Sequence, residues 1–291
     1  MAPTPPVRPV MSHSSAFLLP SPPSSSAAPD GDGDAYALLV LNQRLPRFAP
    51  LLWDRARVRV CADGGANRLF DDMPELLPGQ DPDEVRRRYK PDVIKGDLDS
   101  IRPEVKEYYS NMGTQIVDES HDQDTTDLHK CITFVTEKLA IPNRSNLCIL
   151  VLGALGGRFD HEMGNINVLH LFPTNRIILL SDDCLIFLLP RTHTHNIHIE
   201  SIEGPHCGLI PIGAPSTTTT TTGLRWNLGK PPTSSIQYQQ QLVLNLQILS
   251  PDDTSMSFGG LISTSNIVEE ESVTINSDSD LIWTISLRHH S

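Results

Sequence analysis

The feature that most constrains this chain is a repeated plan: an apolar run, a polar or glycine turn, then a stretch with helical spacing. "YALLVLN" begins it at Tyr36, and "RVRVCADGGANRLF" from Arg57 runs through a Gly-Gly turn into a helix. "PDVIKGDLDS" follows a charged helical stretch around "DPDEVRRRYK", and "TQIVDES" is a short further strand. In "DQDTTDLHKCITFVTEKLA", residues Leu128, Cys131, Ile132, Val135 and Leu139 keep the three-four spacing of one apolar helix face, with Pro142 just past its end. "NLCILVLGALGGRFDHEMGNINVLHLF" then repeats strand, glycine turn and helix. Strands alternating with helices at this spacing imply a parallel, Rossmann-like α/β sheet with helices on both faces. Ligands of such sheets bind at the carboxyl ends of the strands, where the acid- and glycine-rich stretches fall.

After about Asn175 the texture changes. "RIILLSDD", "CLIFLLP", "HNIHIE", "CGLIPI", "SVTINSD" and "LIWTISL" are short β-like runs separated by Gly, Pro, Ser and Asp. That pattern predicts an all-β sandwich or barrel as a second domain. The expected organisation is a disordered Pro/Ser-rich tail over 1–34, an α/β domain over 35–174 and a β-sandwich over 175–291, with the boundary near Pro173 to Arg176. "STTTTTTG" from Ser216 is low in complexity but compatible with a strand. The segment 229–256 breaks the regular strand spacing and reads as an inserted, projecting loop.

Composition narrows the partners. The 291 residues carry a formal net charge of -12, which argues against a nucleic-acid binder, since phosphates need a basic face. An acidic chain still binds phosphates where a divalent cation or a local basic cluster reverses the sign. Five widely spaced cysteines with no CxxC pair point to a reducing compartment and to small hydrophobes in apolar runs. No stretch approaches the roughly 20 apolar residues that span a membrane. The tail, Ser-rich and acid-poor up to Asp30, faintly resembles an organelle transit peptide, but it has few arginines and no amphipathic period. The cytosol is therefore the expected location.

Two carboxylates in "VIKGDLDSI" pose the chemical question. At an extended strand end, residues i and i+2 point the same way, about 6.5 Å apart. Asp97 and Asp99 would then face one site, with Gly96 allowing close approach; an ordinary surface turn is the competing reading. Asp122, Asp124 and Asp127 crowd the start of the next helix, with Glu119 nearby. One or two acids there are explained by capping, but the larger cluster would repel itself without a cation. Mg²⁺ suits such oxygen ligands. "CADGGANRL" and "LGALGGRFDHEMGN" each set Gly-Gly between strand and helix, a potential phosphate cradle. Arg158 after Gly157 can clamp a phosphate, Asp160 can hold Arg158 or orient a base, and Lys95 is a second phosphate candidate. The histidines of "HTHNIHI" read as a solvated strand face, His193 and His195 on one side and His198 on the other. There is no GxxxxGK[ST] and no HRD/DFG pair, which excludes P-loop and protein-kinase folds. A dehalogenase-type phosphatase would want its first Asp directly after an apolar strand, not after Lys-Gly. These residues reach a Mg²⁺-dependent enzyme acting on a nucleotide or phosphate compound.

The ordered set "DGGANRL", "IKGDLDSI", "DQDTTDLHKC", "LGALGGRFDHEMGN", "TTGLRWNL" and "FGGLISTSN" closely resembles the thiamine pyrophosphokinase family, from about Tyr36 to Leu287. The resemblance implies an α/β domain joined to a β-sandwich, working as a homodimer with the site between subunits. It implies transfer of the β,γ-diphosphate of ATP to thiamine, giving thiamine diphosphate and AMP. By the same resemblance Asp97, Asp99 and Asp124 would hold Mg²⁺ and the ATP phosphates. Asp63, Gly64, Gly65, Asn67, Asp122, Thr125, Asp127, Gly156 and Gly157 would line the nucleotide, with Arg158 and Asp160 beside the transferring group. Trp226 would be the aromatic platform for thiamine, with Ser263, Ser265 and Asn266 as polar contacts. A thiazolium cation favours such a face. Asp124 and Asp160 are the two candidates to accept the thiamine hydroxyl proton. The insert departs from the family pattern, falling between Trp226 and Ser263. A Mg²⁺-dependent phosphohydrolase and a non-catalytic thiamine or nucleotide binder are the rival functions.

Overall fold

The computed structural model describes residues 8–20, 35–138, 146–229 and 255–289. The first element, β1 (Val10–Ser14), corrects the expectation of a disordered tail over this stretch. It pairs in parallel with a strand far down the chain, from Val10 opposite Thr194 to Ser14 opposite His198. Phe17 and Leu18 behind it are buried.

Chain contacts divide the molecule into two units, with the divisions after Leu19 and after Leu185. The first unit runs β2 (Ala35–Val40), α1 (Ala49–Arg55), β3 (Val58–Ala62), α2 (Gly65–Leu76), α3 (Pro82–Arg88) and β4 (Val93–Gly96). It continues with α4 (Pro103–Asn111), β5 (Gln115–Asp118), α5 (Asp127–Thr133), β6 (Leu147–Leu152), α6 (Phe159–Leu171) and β7 (Arg176–Leu180). Its strands lie in the order β7-β6-β2-β3-β4-β5, and every one of these pairings is parallel. Every residue of β6 is buried, and all of β2 but one, as strands covered on both faces must be. Local chemistry starts the helices. Asp81 caps α3 by accepting from the N–H groups of Asp83 and Glu84, with Pro82 in the first turn and three arginines in the last. Thr126 caps α5, which widens into a π-type turn over Phe134–Lys138. Leu139, counted on this helix's apolar face, lies outside the described residues.

Because β7 pairs with β6, the boundary falls later than the expected Pro173 to Arg176. Within β8 (Cys184–Leu189) the chain passes into the β-rich unit, which holds β9 (Thr194–His198), β10 (Glu203–Ile210) and β11 (Thr219–Thr222). The strands β12 (Ser263–Ile267), β13 (Ser272–Ser277) and β14 (Leu281–Leu287) complete it. One set runs β1-β9-β13-β11 and another β12-β10-β14-β8. The threonine run is a true strand, with Thr219 and Thr221 turned inward and buried. The solvated reading of the histidines is corrected at His195, which is buried. His13 Nε2 lies 3.0 Å from its Nδ1, and its Nε2 lies 2.9 Å from the Pro190 carbonyl. Cys61, Cys131, Cys148 and Cys207 are buried as small core residues. Among the described residues no helix is long and apolar enough to cross a membrane. The inserted segment lies outside the described residues from 230 to 254.

Candidate active site

The carboxyl ends of β2, β3, β4 and β6 open on a cavity of about 550 Å³. Asn42 and Gln43 follow β2, Gly64 follows β3, Asp97 follows β4, and Gly153 and Ala154 follow β6. The start of α5 and the turn before α6 close it with Asp127, Lys130, Arg158 and Asp160. All of this belongs to the α/β unit.

Two carboxylates that line it, Asp97 and Asp127, meet a third, the buried Asp63, behind them. Asp63, Asp97 and Asp127 each offer an oxygen, and the three oxygens lie within 4.8 Å of one another. Asp63 is 1% exposed and has a left-handed φ of 42°. Its carboxylate accepts from the Ser100 N–H at 2.9 Å and the Ile101 N–H at 3.0 Å, which ties the end of β3 to the loop after β4. Gly96 makes room for the cluster: a Cβ there would lie 2.8 Å from Asp63 Cβ and 3.1 Å from an Asp127 oxygen. Burial, then Asp97 and Asp63, pushes the Asp127 carboxyl up to about 6. Burial also raises Asp63, with Asp97 and Asp99 adding to it, despite the two backbone donors. Three hard oxygen donors that destabilise each other's charge fit a Mg²⁺-like cation.

This cluster is not the expected trio of Asp97, Asp99 and Asp124. The i, i+2 argument holds only while the strand continues, and β4 stops at Gly96. Leu98 then takes a φ of 62°, and Asp99 is exposed, accepting from its neighbour Ser100 Oγ at 2.9 Å. Asp124 is exposed and does not line the cavity. Its N–H donates to Asp122, which also accepts from the N–H and hydroxyl of Thr125 and so builds the turn before α5. Thr125 itself lines the cavity.

The glycine turns differ from one another. Gly65 starts α2 against the Val40 carbonyl, which a side chain would strike. Gly156 takes a φ of 91°, but its N–H is already held by Glu162 Oε1 at 2.6 Å. Gly157 abuts the Gln43 side chain. Arg158 forms a two-point pair with Asp160 at the cavity edge, both exposed. Lys95 is corrected as a phosphate candidate: it is buried and paired with Glu119. Asn67 spends both ends of its amide on the loop, donating to Ser100 O and accepting from Arg102 N. Asn42, Gln43 and Lys130 also line the cavity, beyond the residues that the motifs single out. The strand-end rule pointed to Asn42 and Gln43; nothing in the spacing of α5 singled out Lys130.

In the β-rich unit Asn266 is 2% exposed and holds a second constellation together. Its oxygen accepts from Trp226 N at 3.2 Å, and its amide nitrogen donates to Trp226 O at 2.9 Å and Ser263 Oγ at 3.1 Å. Trp226 and Ser263 are thus joined, and Asn266 acts as their clamp. Ser265 is exposed, with a φ of 56°, and no hydrogen bond of its side chain joins that set. Arg225 lies 5.8 Å from the Trp226 ring centre and pairs with Glu269 at 2.7 Å.

Fold and site together define a class: a two-unit protein whose parallel α/β part carries an acid-floored crevice at its strand ends. Residues 49–179 match the family described as thiamin pyrophosphokinase, catalytic domain, and residues 194–282 its vitamin B1 binding domain. Thiamine pyrophosphokinase 3 of Oryza sativa subsp. japonica is 80% identical over 287 residues, covering 98% of this chain and 99% of that protein. Thiamine pyrophosphokinase 1 of Arabidopsis thaliana is 56% identical over 280 residues, 96% and 94% of the two chains. The crystal structure of yeast thiamin pyrophosphokinase shares the fold, with a TM-score of 0.72 at 23% identity over 97% of this chain and 92% of that one. The chain belongs to the thiamine pyrophosphokinase family.

Proposed function

We propose that this chain makes thiamine diphosphate by transferring a diphosphate group from ATP to thiamine, releasing AMP. The observation that carries the reading is the cluster of Asp63, Asp97 and Asp127, two of which, Asp97 and Asp127, line the cavity at the strand ends. Those three acids hold Mg²⁺, which when bound neutralises charge on the polyphosphate. The turn at Gly64 and Gly65 receives the nucleotide in a Rossmann-like manner, and Arg158 lies at the edge where a phosphate leaves or enters. The thiamine hydroxyl oxygen bonds to the β-phosphorus while the bond from that phosphorus to the bridging oxygen breaks; that oxygen departs with AMP. The hydroxyl proton goes to a carboxylate, and of Asp124 and Asp160 only Asp160 lines the cavity. Such transfer needs positioning and charge neutralisation above all. Trp226 on the β-sandwich offers its ring to the thiazolium cation. A homodimer in the cytosol is the working form in this reading.

One assay tests it. The protein is incubated with ATP, Mg²⁺ and thiamine, and the nucleotides and thiamine esters are resolved. AMP formed one-for-one with thiamine diphosphate is the expected result. ADP or free phosphate released without dependence on thiamine would instead mark a phosphohydrolase, and binding without turnover a non-catalytic binder.

A further inference from the structure

Three cationic side chains line the acid-floored cavity: Arg68, Lys130 and Arg158. Arg68 donates from Nε to Asn42 Oδ1 at 3.2 Å, and Arg158 is paired with Asp160. Lys130 is the exception. It sits on α5 one turn after Asp127, is 5% exposed, and among the described residues its ammonium has neither hydrogen bond nor ion pair. Its backbone N–H is spent inside the helix, on Thr126 O at 3.0 Å. The side chain is held in place by burial while its ammonium is open to the cavity, so its hydrogen-bonding capacity is left for a ligand that supplies oxygens.

We infer that Lys130 binds the phosphate chain of the nucleotide, reading the polyphosphate rather than the nucleoside. This deepens the ATP-dependent reading and rests on it. The geometry favours the role on two further counts. Asp127 and Lys130, three residues apart on one helix, present a cation-holding acid and a phosphate-holding base to the same cavity. Arg158 is exposed and already occupied by Asp160, and Arg68 is half-buried with its Nε bonded to Asn42, so Lys130 is the buried cation that faces the cavity. A lysine acts here as a compact point charge that can follow a phosphate as it moves.

The test compares wild type with Lys130→Met, Lys130→Gln and Lys130→Arg. Affinities for ATP and for AMP are measured by calorimetry with Mg²⁺ present, alongside KM and kcat. Lys130→Met and Lys130→Gln should weaken ATP binding roughly 10- to 100-fold, the worth of one charge-assisted hydrogen bond, and change AMP binding by less than about 2-fold. Lys130→Arg should recover most of the ATP affinity. Equal losses for ATP and AMP, or no loss for ATP, would overturn the assignment. So would unfolding of both neutral variants, seen as a collapsed melting temperature, since that marks a packing role. A wild-type protein that makes no AMP from ATP and thiamine would sink the proposed function itself, an outcome read before any variant is made.

Discussion

The Glu162 carboxylate accepts a hydrogen bond from the Gly156 N–H at 2.6 Å, so the helix after the second glycine turn closes that turn from within. An exposed backbone donor is thereby satisfied by a side chain in the first turn of α6. Glu162→Ala should lose about 1 kcal/mol of stability, the scale of a lost cap, whereas Glu162→Gln should stay within about half of that. Urea denaturation of both variants decides it; an unchanged midpoint for the alanine variant would show that the bond contributes nothing.

The carboxylate cluster makes a sharper prediction at α5. Mg²⁺ should raise the melting temperature of the wild type, since a ligand that binds only the folded state stabilises it. Asp127→Asn should abolish that rise, and Asp97→Asn should do the same and lose turnover with the fold retained. Asp124→Asn should keep the rise, because Asp124 is exposed and is not one of the three clustered acids. A Mg²⁺ response that survives in Asp127→Asn contradicts the site.

Two buried groups in the β-rich unit give opposite pH dependences. Burial lowers His195 from 6.5 to about 4, so the unfolded chain binds the extra proton between those values and stability falls as pH drops through them. Burial raises Glu203 from 4.5 to about 7, so the folded state holds the extra proton and stability falls as pH rises through that window. Between about pH 4.5 and 6.5 the two nearly cancel. Wild-type stability should be flat there, His195→Gln should lose stability with rising pH, and Glu203→Gln should gain it. Parallel profiles in all three proteins would refute the pairing.

Asn266 bonds to both backbone groups of Trp226 and to Ser263, and its oxygen also accepts from Ile267 N at 2.8 Å. Asn266→Ala should cost about 2 kcal/mol by leaving those buried groups unpaired. It should also raise the KM for thiamine more than the KM for ATP. Equal changes in both would show that the Trp226 turn does not serve thiamine.

The parallel unit is legible in the sequence because strands alternate with helices at crossover spacing, and the buried β2 and β6 agree with it. The sequence also exposed Asp97 and the acid-rich helix start. What it concealed was conformation. Asp97 and Asp99 look like partners on paper, but the left-handed Leu98 between them turns one inward and leaves the other exposed. Asp63 and Asp127 were named as nucleotide neighbours, yet their convergence depends on Gly96 admitting both, a long-range fact. The strand at Val10–Ser14 was hidden for the same reason. Its surroundings are rich in Pro and Ser, and His13 meets His195 only 182 positions later.

That early strand also shapes how the protein is made. With the unit divisions after Leu19 and Leu185, the α/β unit is a contiguous piece spliced into the β-rich one. On the ribosome β1 emerges first, yet its partner strand β9 appears only after the whole α/β unit has been synthesised. Residues 10–14 must therefore wait for residues 194–198, and no single cut of the chain separates the two units intact. A tag fused just ahead of Val10 would load a working strand, and a fragment beginning at residue 175 would be born with an open edge.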